Sequence, residues 1–114
     1  MTTTPMRVRV VACTLRGDFS DPVRSWHTFL EAVNAVPDVT VLATQRHIFP
    51  GNGLSGVVII GESHAALHTW PEQECAYALL ASCSTARSLV DFVTALRERW
   101  DVETVSHPSM DAQG

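Results

Sequence analysis

The chain contains no lysine, although it runs to 114 residues. An amine substrate cannot here be activated through a protein lysine Schiff base, so any carbonyl chemistry must use another group. Charge is sparse in general. Eight arginines face twelve Asp and Glu residues, for a net charge of -4 and a pI near 5.6. A nucleic-acid binder needs clustered positive charge against the phosphates, and this balance argues against one. Cysteine is equally scarce: Cys13, Cys75 and Cys83 are odd in number and show no Cys-x-x-Cys spacing. That disfavours a disulfide framework or a zinc knuckle and fits a reducing, cytoplasmic setting. The longest apolar runs reach only about six residues, against the roughly 18 needed by a membrane-crossing helix. The opening Met1-Thr2-Thr3-Thr4-Pro5-Met6-Arg7 lacks the apolar centre of a signal peptide.

What is present reads as one domain over residues 1–114, large enough to bury roughly two thirds of its unfolded surface. Arg7 to Leu15 alternates, with Val8, Val10, Val11 and Cys13, as a strand with one buried face. Asp21 and Pro22 open a helix whose apolar residues Val23, Trp26, Phe29, Leu30 and Val33 recur at three- and four-residue spacing, up to about Val36. Pro37-Asp38 stops it. Val39–Phe49, with Val39, Val41 and Ala43 on one side, and Ser55–Gly61 flank Pro50-Gly51-Asn52-Gly53 and read as a hairpin. Leu67–Trp70 and Cys75–Cys83 are extended segments paired across the Pro71–Glu74 turn. Ser84 or Thr85 caps a second helix carrying Leu89, Val93, Leu96 and Trp100 on one face, and Val102–Val105 adds a short strand. Ser106–Gly114 is polar and expected to fray. The order β-α-β-β-β-β-α-β predicts an α+β fold: a two-layer sandwich with a mostly antiparallel sheet and both helices on one face. The other face is most simply covered sheet to sheet in a homodimer, since Phe49 and Trp70 are large for an open surface.

Chemically active side chains concentrate in Gly61-Glu62-Ser63-His64-Ala65-Ala66-Leu67-His68-Thr69-Trp70-Pro71-Glu72, with Cys83 beyond. Taken singly, each has an ordinary reading. Ser63 fits a polar residue at a strand end, His68 a strand histidine satisfied by its neighbours, and Cys83 a small buried hydrophobe. Ala65 stands where a hydrolase elbow needs its second glycine, which disfavours a serine hydrolase. A metal set of His64, His68 and Glu72 converges only on a helix, which Pro71 breaks, so no metal site is expected.

Taken together, Glu62-Ser63-His64, His68-Thr69-Trp70-Pro71-Glu72 and Cys83 twenty positions beyond the serine resemble the processing segment of the prokaryotic S-adenosylmethionine decarboxylases. Phe49, Gly53, Ser55, Gly56, Val57 and Val58 align with the same pattern without a gap. The match covers about a third of the chain. The resemblance implies a chain that cuts itself between Glu62 and Ser63 into 1–62 (β chain) and 63–114 (α chain). Ser63 Oγ attacks the Glu62 carbonyl, and Ser55 helps to hold the oxyanion. His68 is the base for β-elimination, and Ser63 becomes a covalent pyruvoyl group, the cofactor, whose ketone takes the substrate amine as a Schiff base in place of the missing lysine. It further implies that Cys83 is the proton donor and that Phe49, Trp70 and Glu72 bind the small-molecule substrate, with Phe49 supplied by the partner subunit.

The implied activity is decarboxylation of S-adenosylmethionine for polyamine (spermidine) synthesis. Relatives carry a tyrosine and two alanines after the Pro-Glu turn, an aspartate, and Thr-Cys-Gly about the thiol. Here Cys75-Ala76-Tyr77, Leu79 and Ser82-Cys83-Ser84 stand in those places. These departures leave two alternatives open: a decarboxylase of L-ornithine or L-arginine on the same scaffold, and a non-catalytic paralogue acting as a partner subunit.

Overall fold

Alternating apolar residues build the sheet first. The computed structural model describes residues 7–37, 39–83, 86–107 and 109–111. Its elements are β1 (Arg7–Arg16), α1 (Pro22–Asn34), β2 (Val41–Ile48), β3 (Leu54–Ile60), β4 (Ser63–Trp70), β5 (Cys75–Ser82), α2 (Ala86–Arg97), β6 (Asp101–Ser106) and β7 (Ser109–Asp111). The sheet has the order β2-β3-β4-β5-β1-β6, all neighbours antiparallel, with β7 also paired to β1. Both helices contact the sheet, and the fold is the expected α+β sandwich.

Side-chain alternation fixes which face is covered. Val11, Cys13 and Leu15 of β1, Leu54 and Val58 of β3, Ala65 and Leu67 of β4, and Ala78 and Leu80 of β5 are buried with the helix residues Trp26, Phe29, Phe92 and Leu96. Phe29 meets Phe92 edge-on at a centroid distance of 6.1 Å, which joins α1 to α2 over the sheet. Among the described residues the opposite face carries no helix. Asp21 caps α1 by accepting from the Arg24 N–H at 3.1 Å, as its position before Pro22 foretells.

Several expectations shift. The buried stripe of α1 runs through Ser25, Trp26, Phe29, Ala32 and Val33, while Val23 lies 44% exposed, so the helix meets the sheet with a face rotated from the predicted one. A bulge between Val41 and Ala43 breaks the even spacing of β2 and puts Ala43 on the opposite face from Val41. Strand β4 starts at Ser63, four residues before the predicted Leu67, because Ser63–Ala66 pair on both sides, with β3 and with β5. The polar tail does not simply fray. Ser106 ends β6, and Ser109–Asp111 pair with Arg7–Arg9, the end of β1 that β6 leaves open. The expected cap at Ser84 or Thr85 lies outside the described residues, as do Asp38 and residues 1–6.

Gly56 of β3 lies directly under the Trp26 indole of α1. A Cβ there would sit 2.6 and 2.9 Å from two atoms of the Trp26 indole and nearer still to a third. Both partners are packed on rigid backbone, so Gly56→Ala is expected to destabilise the fold by about 1–3 kcal/mol through overpacking. Urea unfolding of the two proteins measures it, and an unchanged midpoint contradicts this packing.

Candidate active site

A two-residue turn, Gly61-Glu62, joins β3 to β4, with Ile60 and Ser63 as its closing pair. Glu62 takes the left-handed backbone conformation, φ 62°, whereas Gly61 does not. A turn with positive φ at its second position prefers glycine there. Here the glycine stands one position early, and a residue with a Cβ carries the cost, on the order of 1–2 kcal/mol. The strain therefore lies on the residue whose carbonyl joins Ser63.

Ser63 opens β4. Its side chain lies on the helix-covered side, partly buried, and its Oγ donates to Ser82 Oγ at 2.9 Å. Ser82 is its cross-strand partner on β5, so Cys83, the next residue, lies exposed beside it. Cys83 is free, as are Cys13 and Cys75. Cys13 contrasts with it: burial in the core pushes its thiol pKa up, which keeps that sulfur inert.

The remaining candidates gather at the other end of the strand. Ser55 and His68 are cross-strand partners, and Ser55 Oγ lies 2.8 Å from His68 Nδ1. Both point to the open face. Phe49, Ser55, His68, Trp70 and Glu72 line one cavity of about 460 Å³. Phe49 and Trp70 are 46% and 44% exposed, unusual for such large apolar groups, and Glu72 is exposed on the short 3₁₀ turn Pro71–Gln73 that follows β4. His64 lies on the same face of β4 as His68 but four residues back, about 13 Å along an extended strand.

Two half-sites result. Ser63, Ser82 and Cys83 form one, and Ser55, His68, Phe49, Trp70 and Glu72 the other. His68 lies five positions along β4 from Ser63, about 17 Å at the rise of a strand. The two side chains also leave opposite faces of the sheet. Within one protomer the structure does not bring His68 to Ser63. Sequence reasoning missed two neighbours. In the sequence Ser82 stands out only as a departure beside the thiol, and nothing local marks His47, since only the register of β2 against β3 puts it opposite Ser55. Another cavity, about 550 Å³, lies on the helix side between Arg16, Asp18, Arg24 and Trp100, and contains none of the candidates.

An antiparallel sheet with two helices over one face, and a serine at the start of a central strand behind a strained turn, define a self-contained α+β domain with a divided polar site. The model of the S-adenosylmethionine decarboxylase family matches residues 18–112, and the chain belongs to that family. It is 36% identical over 84 residues to the S-adenosylmethionine decarboxylase proenzyme of Pseudomonas paraeruginosa, covering 74% of this chain and 52% of that one. It is 35% identical over 71 residues to the proenzyme of Acidithiobacillus ferrooxidans, covering 62% and 53% of the two chains. The chain thus spans about half the length of the curated relatives it matches. The crystal structure of the adenosylmethionine decarboxylase from Aquifex aeolicus shares the fold, with a TM-score of 0.71, 18% identity, and 95% and 91% of the two chains covered. Among the described residues no helix is long and apolar enough to cross a membrane.

The strain at Glu62 has a measurable consequence, read in a Ser63→Ala background that removes the neighbouring hydroxyl. There, Glu62→Gly is expected to leave stability within about 1 kcal/mol, because relief of strain offsets the lost chain stiffness. Glu62→Val is expected to lose about 1–2 kcal/mol more, since a β-branched side chain tolerates that conformation worst. Equal urea midpoints for the two variants would remove the left-handed turn from the argument.

Proposed function

We propose that this chain is a self-processing, pyruvoyl-dependent decarboxylase acting on S-adenosylmethionine, in the branch of metabolism that supplies the aminopropyl group of spermidine. The observation that carries the proposal is the position of Ser63: first residue of a central strand, immediately after the strained Glu62, with Cys83 beside it. Ser63 Oγ adds to the Glu62 carbonyl, and the amide becomes an ester as the left-handed turn relaxes. His68 then removes the Ser63 α-proton, the bond from Cβ to Oγ breaks, and the first chain leaves with a Glu62 carboxylate. Water converts the remaining dehydroalanine to the pyruvoyl group and releases ammonia.

The residues fit that group. β4 is held by β3 on one side and β5 on the other, so a new N-terminus at position 63 stays in place after the cut. The pyruvoyl ketone supplies the electrophile and electron sink that a lysine-free chain otherwise lacks. Cys83 returns a proton to the substrate carbon. Phe49 and Trp70 offer apolar faces to the nucleoside, and Glu72 holds its ribose or the cationic centre.

A homodimer makes the two half-sites one. On the open face, midway between Ser63 and His68, runs an apolar row of cross-strand partners: Val57, Ala66, Leu79 and Ala12. A two-fold axis through this row packs apolar on apolar and lays the Ser63 end of one protomer over the Ser55 and His68 end of its partner. His68 then serves the partner's Ser63, and Phe49 comes from the partner subunit. The free cysteines accord with a cytoplasmic setting.

Intact mass under denaturing conditions tests the cut: two species divided between Glu62 and Ser63, the second beginning with a pyruvoyl, are expected. A single full-length mass would instead favour a non-catalytic partner subunit. Ser63→Ala should remain one chain, and Cys83→Ala should be cut yet lose about 100-fold or more in turnover. Release of labelled carbon dioxide from S-adenosylmethionine, and not from ornithine or arginine, fixes the substrate. For the shared site, Ser63→Ala and His68→Ala chains are each uncut alone. Co-expression should restore cutting of the His68→Ala chain only, and continued absence of fragments refutes the dimeric arrangement.

A further inference from the structure

Six strands each place one residue on a single line across the open face. His47, Ser55, His68, Tyr77, Thr14 and Thr104 are successive cross-strand partners from β2 to β6. All six carry a polar or titratable group, whereas the neighbouring row toward Ser63 is apolar over its four central strands, with Val57, Ala66, Leu79 and Ala12 between Gln45 and Ser106 at the edges. The line is joined in places. Thr14 and Thr104 share a hydrogen bond of 2.5 Å, Ser55 Oγ and His68 Nδ1 one of 2.8 Å, and the rings of His68 and Tyr77 lie 6.5 Å apart. At its β2 end His47 stands opposite Ser55, packs edge-on against Phe49 at 4.5 Å, and lines with Ser55 and His68 a cavity of about 290 Å³.

We propose that His47 is a positioning residue for His68, acting through Ser55 in the elimination step. The inference rests on the reading of His68 as the processing base. A neutral imidazole has one protonated and one free nitrogen. If the Ser55 hydroxyl donates to Nδ1, the hydrogen of His68 sits on Nε2 and no base faces the Ser63 α-proton. For Nε2 to be free, Nδ1 must carry the hydrogen and donate to Ser55 Oγ, and the hydroxyl hydrogen then needs another acceptor. His47 is the imidazole on that side, at cross-strand distance, about 4.5–5.5 Å between Cβ atoms. The second nitrogen of a working imidazole is set by what it bonds. One hydroxyl hydrogen serves two steps in turn. During addition it meets the oxyanion on the Glu62 carbonyl. Once that has collapsed to the ester, it swings to His47, His68 donates through Nδ1, and Nε2 takes the α-proton while the Glu62 carboxylate departs with the electron pair of the broken bond. His47 therefore acts on elimination and not on addition.

The test has two arms, and His47, exposed on an edge strand, is open to substitution without loss of the core. In the uncut Ser63→Ala chain, the nitrogen chemical shifts of the His68 ring should show hydrogen on Nδ1. His47→Phe, which cannot accept, should move it to Nε2, and His47→Gln, which can, should leave it. In the chain with Ser63 intact, His47→Phe should accumulate ester, a species of unchanged mass that hydroxylamine cuts, and release fragments about ten-fold or more slowly. His47→Gln should stay within about three-fold of the parent chain. A His68 ring that keeps its tautomer in His47→Phe overturns the proposal, and so does equal slowing by Phe and Gln. If the parent chain never cuts, the self-processing reading falls, while the nitrogen shifts still decide the part played by His47.

Discussion

The register imposed by the Gly61-Glu62 turn is the constraint on which the rest of the site depends. A two-residue connection allows β4 to pair with β3 in one alignment, and that alignment puts Ser55 opposite His68 and Ile60 opposite Ser63. A slip of one residue would turn every side chain of β4 to the other face. His68 would then enter the core, and Ala65 and Leu67 would leave it. The burial of Ala65, Leu67 and Thr69 on one side, with His64, His68 and Trp70 on the other, therefore locks the chemistry in place through packing. The turn bears the mismatch. Its left-handed residue is Glu62, not the glycine beside it.

Strand order bears on what a cut at this turn does to the fold. Elements before position 63 supply β1, β2 and β3, and those after it supply β4, β5 and β6, yet the spatial order is β2-β3-β4-β5-β1-β6. Strand β1 is inserted between β5 and β6, and β3 lies against β4. Breaking the chain at 62 removes one covalent connection and leaves every ladder intact. The core is shared in the same way, with Phe29 of α1 packed on Phe92 of α2. A backbone cut in such a sheet costs little stability, because separating the two pieces would expose most of the apolar core to water.

The sheet, the helices and the family were legible in the sequence for different reasons. Alternation in Arg7–Leu15 and the Pro50–Gly53 turn are local signals that tertiary packing did not have to override. Motif spacing led to the family, and the roles of Ser63, His68 and Cys83 rest on the function proposed above. What escaped was register. No local signal says that β1 lies between β5 and β6, or that His47 faces Ser55 and Ser63 faces Ser82, since each is a pairing between residues distant in the chain. For the same reason a list of site residues close together in sequence hid their division into two groups at opposite ends of β4. The start of β4 was misplaced because His64, Ala65 and Ala66 have weak strand preference, and pairing on both edges decides it.

Leu79 shows how placement changes the meaning of a substitution. Compared with relatives by sequence alone, leucine in place of aspartate looks like the loss of a charge that could meet a substrate cation. In the structure Leu79 belongs to the apolar row, opposite Ala66 on one side and Ala12 on the other, one row away from His68. On the dimer proposed here that row lies at the two-fold axis, where each Leu79 faces small apolar side chains of the partner. A carboxylate at that point would have to be paired or would lose its hydration without compensation. Leucine removes that requirement and leaves the polar line through Ser55 and His68 bounded by a drier surface. On that proposed dimer the change bears on how closely two sheets approach, not on a charge beside His68.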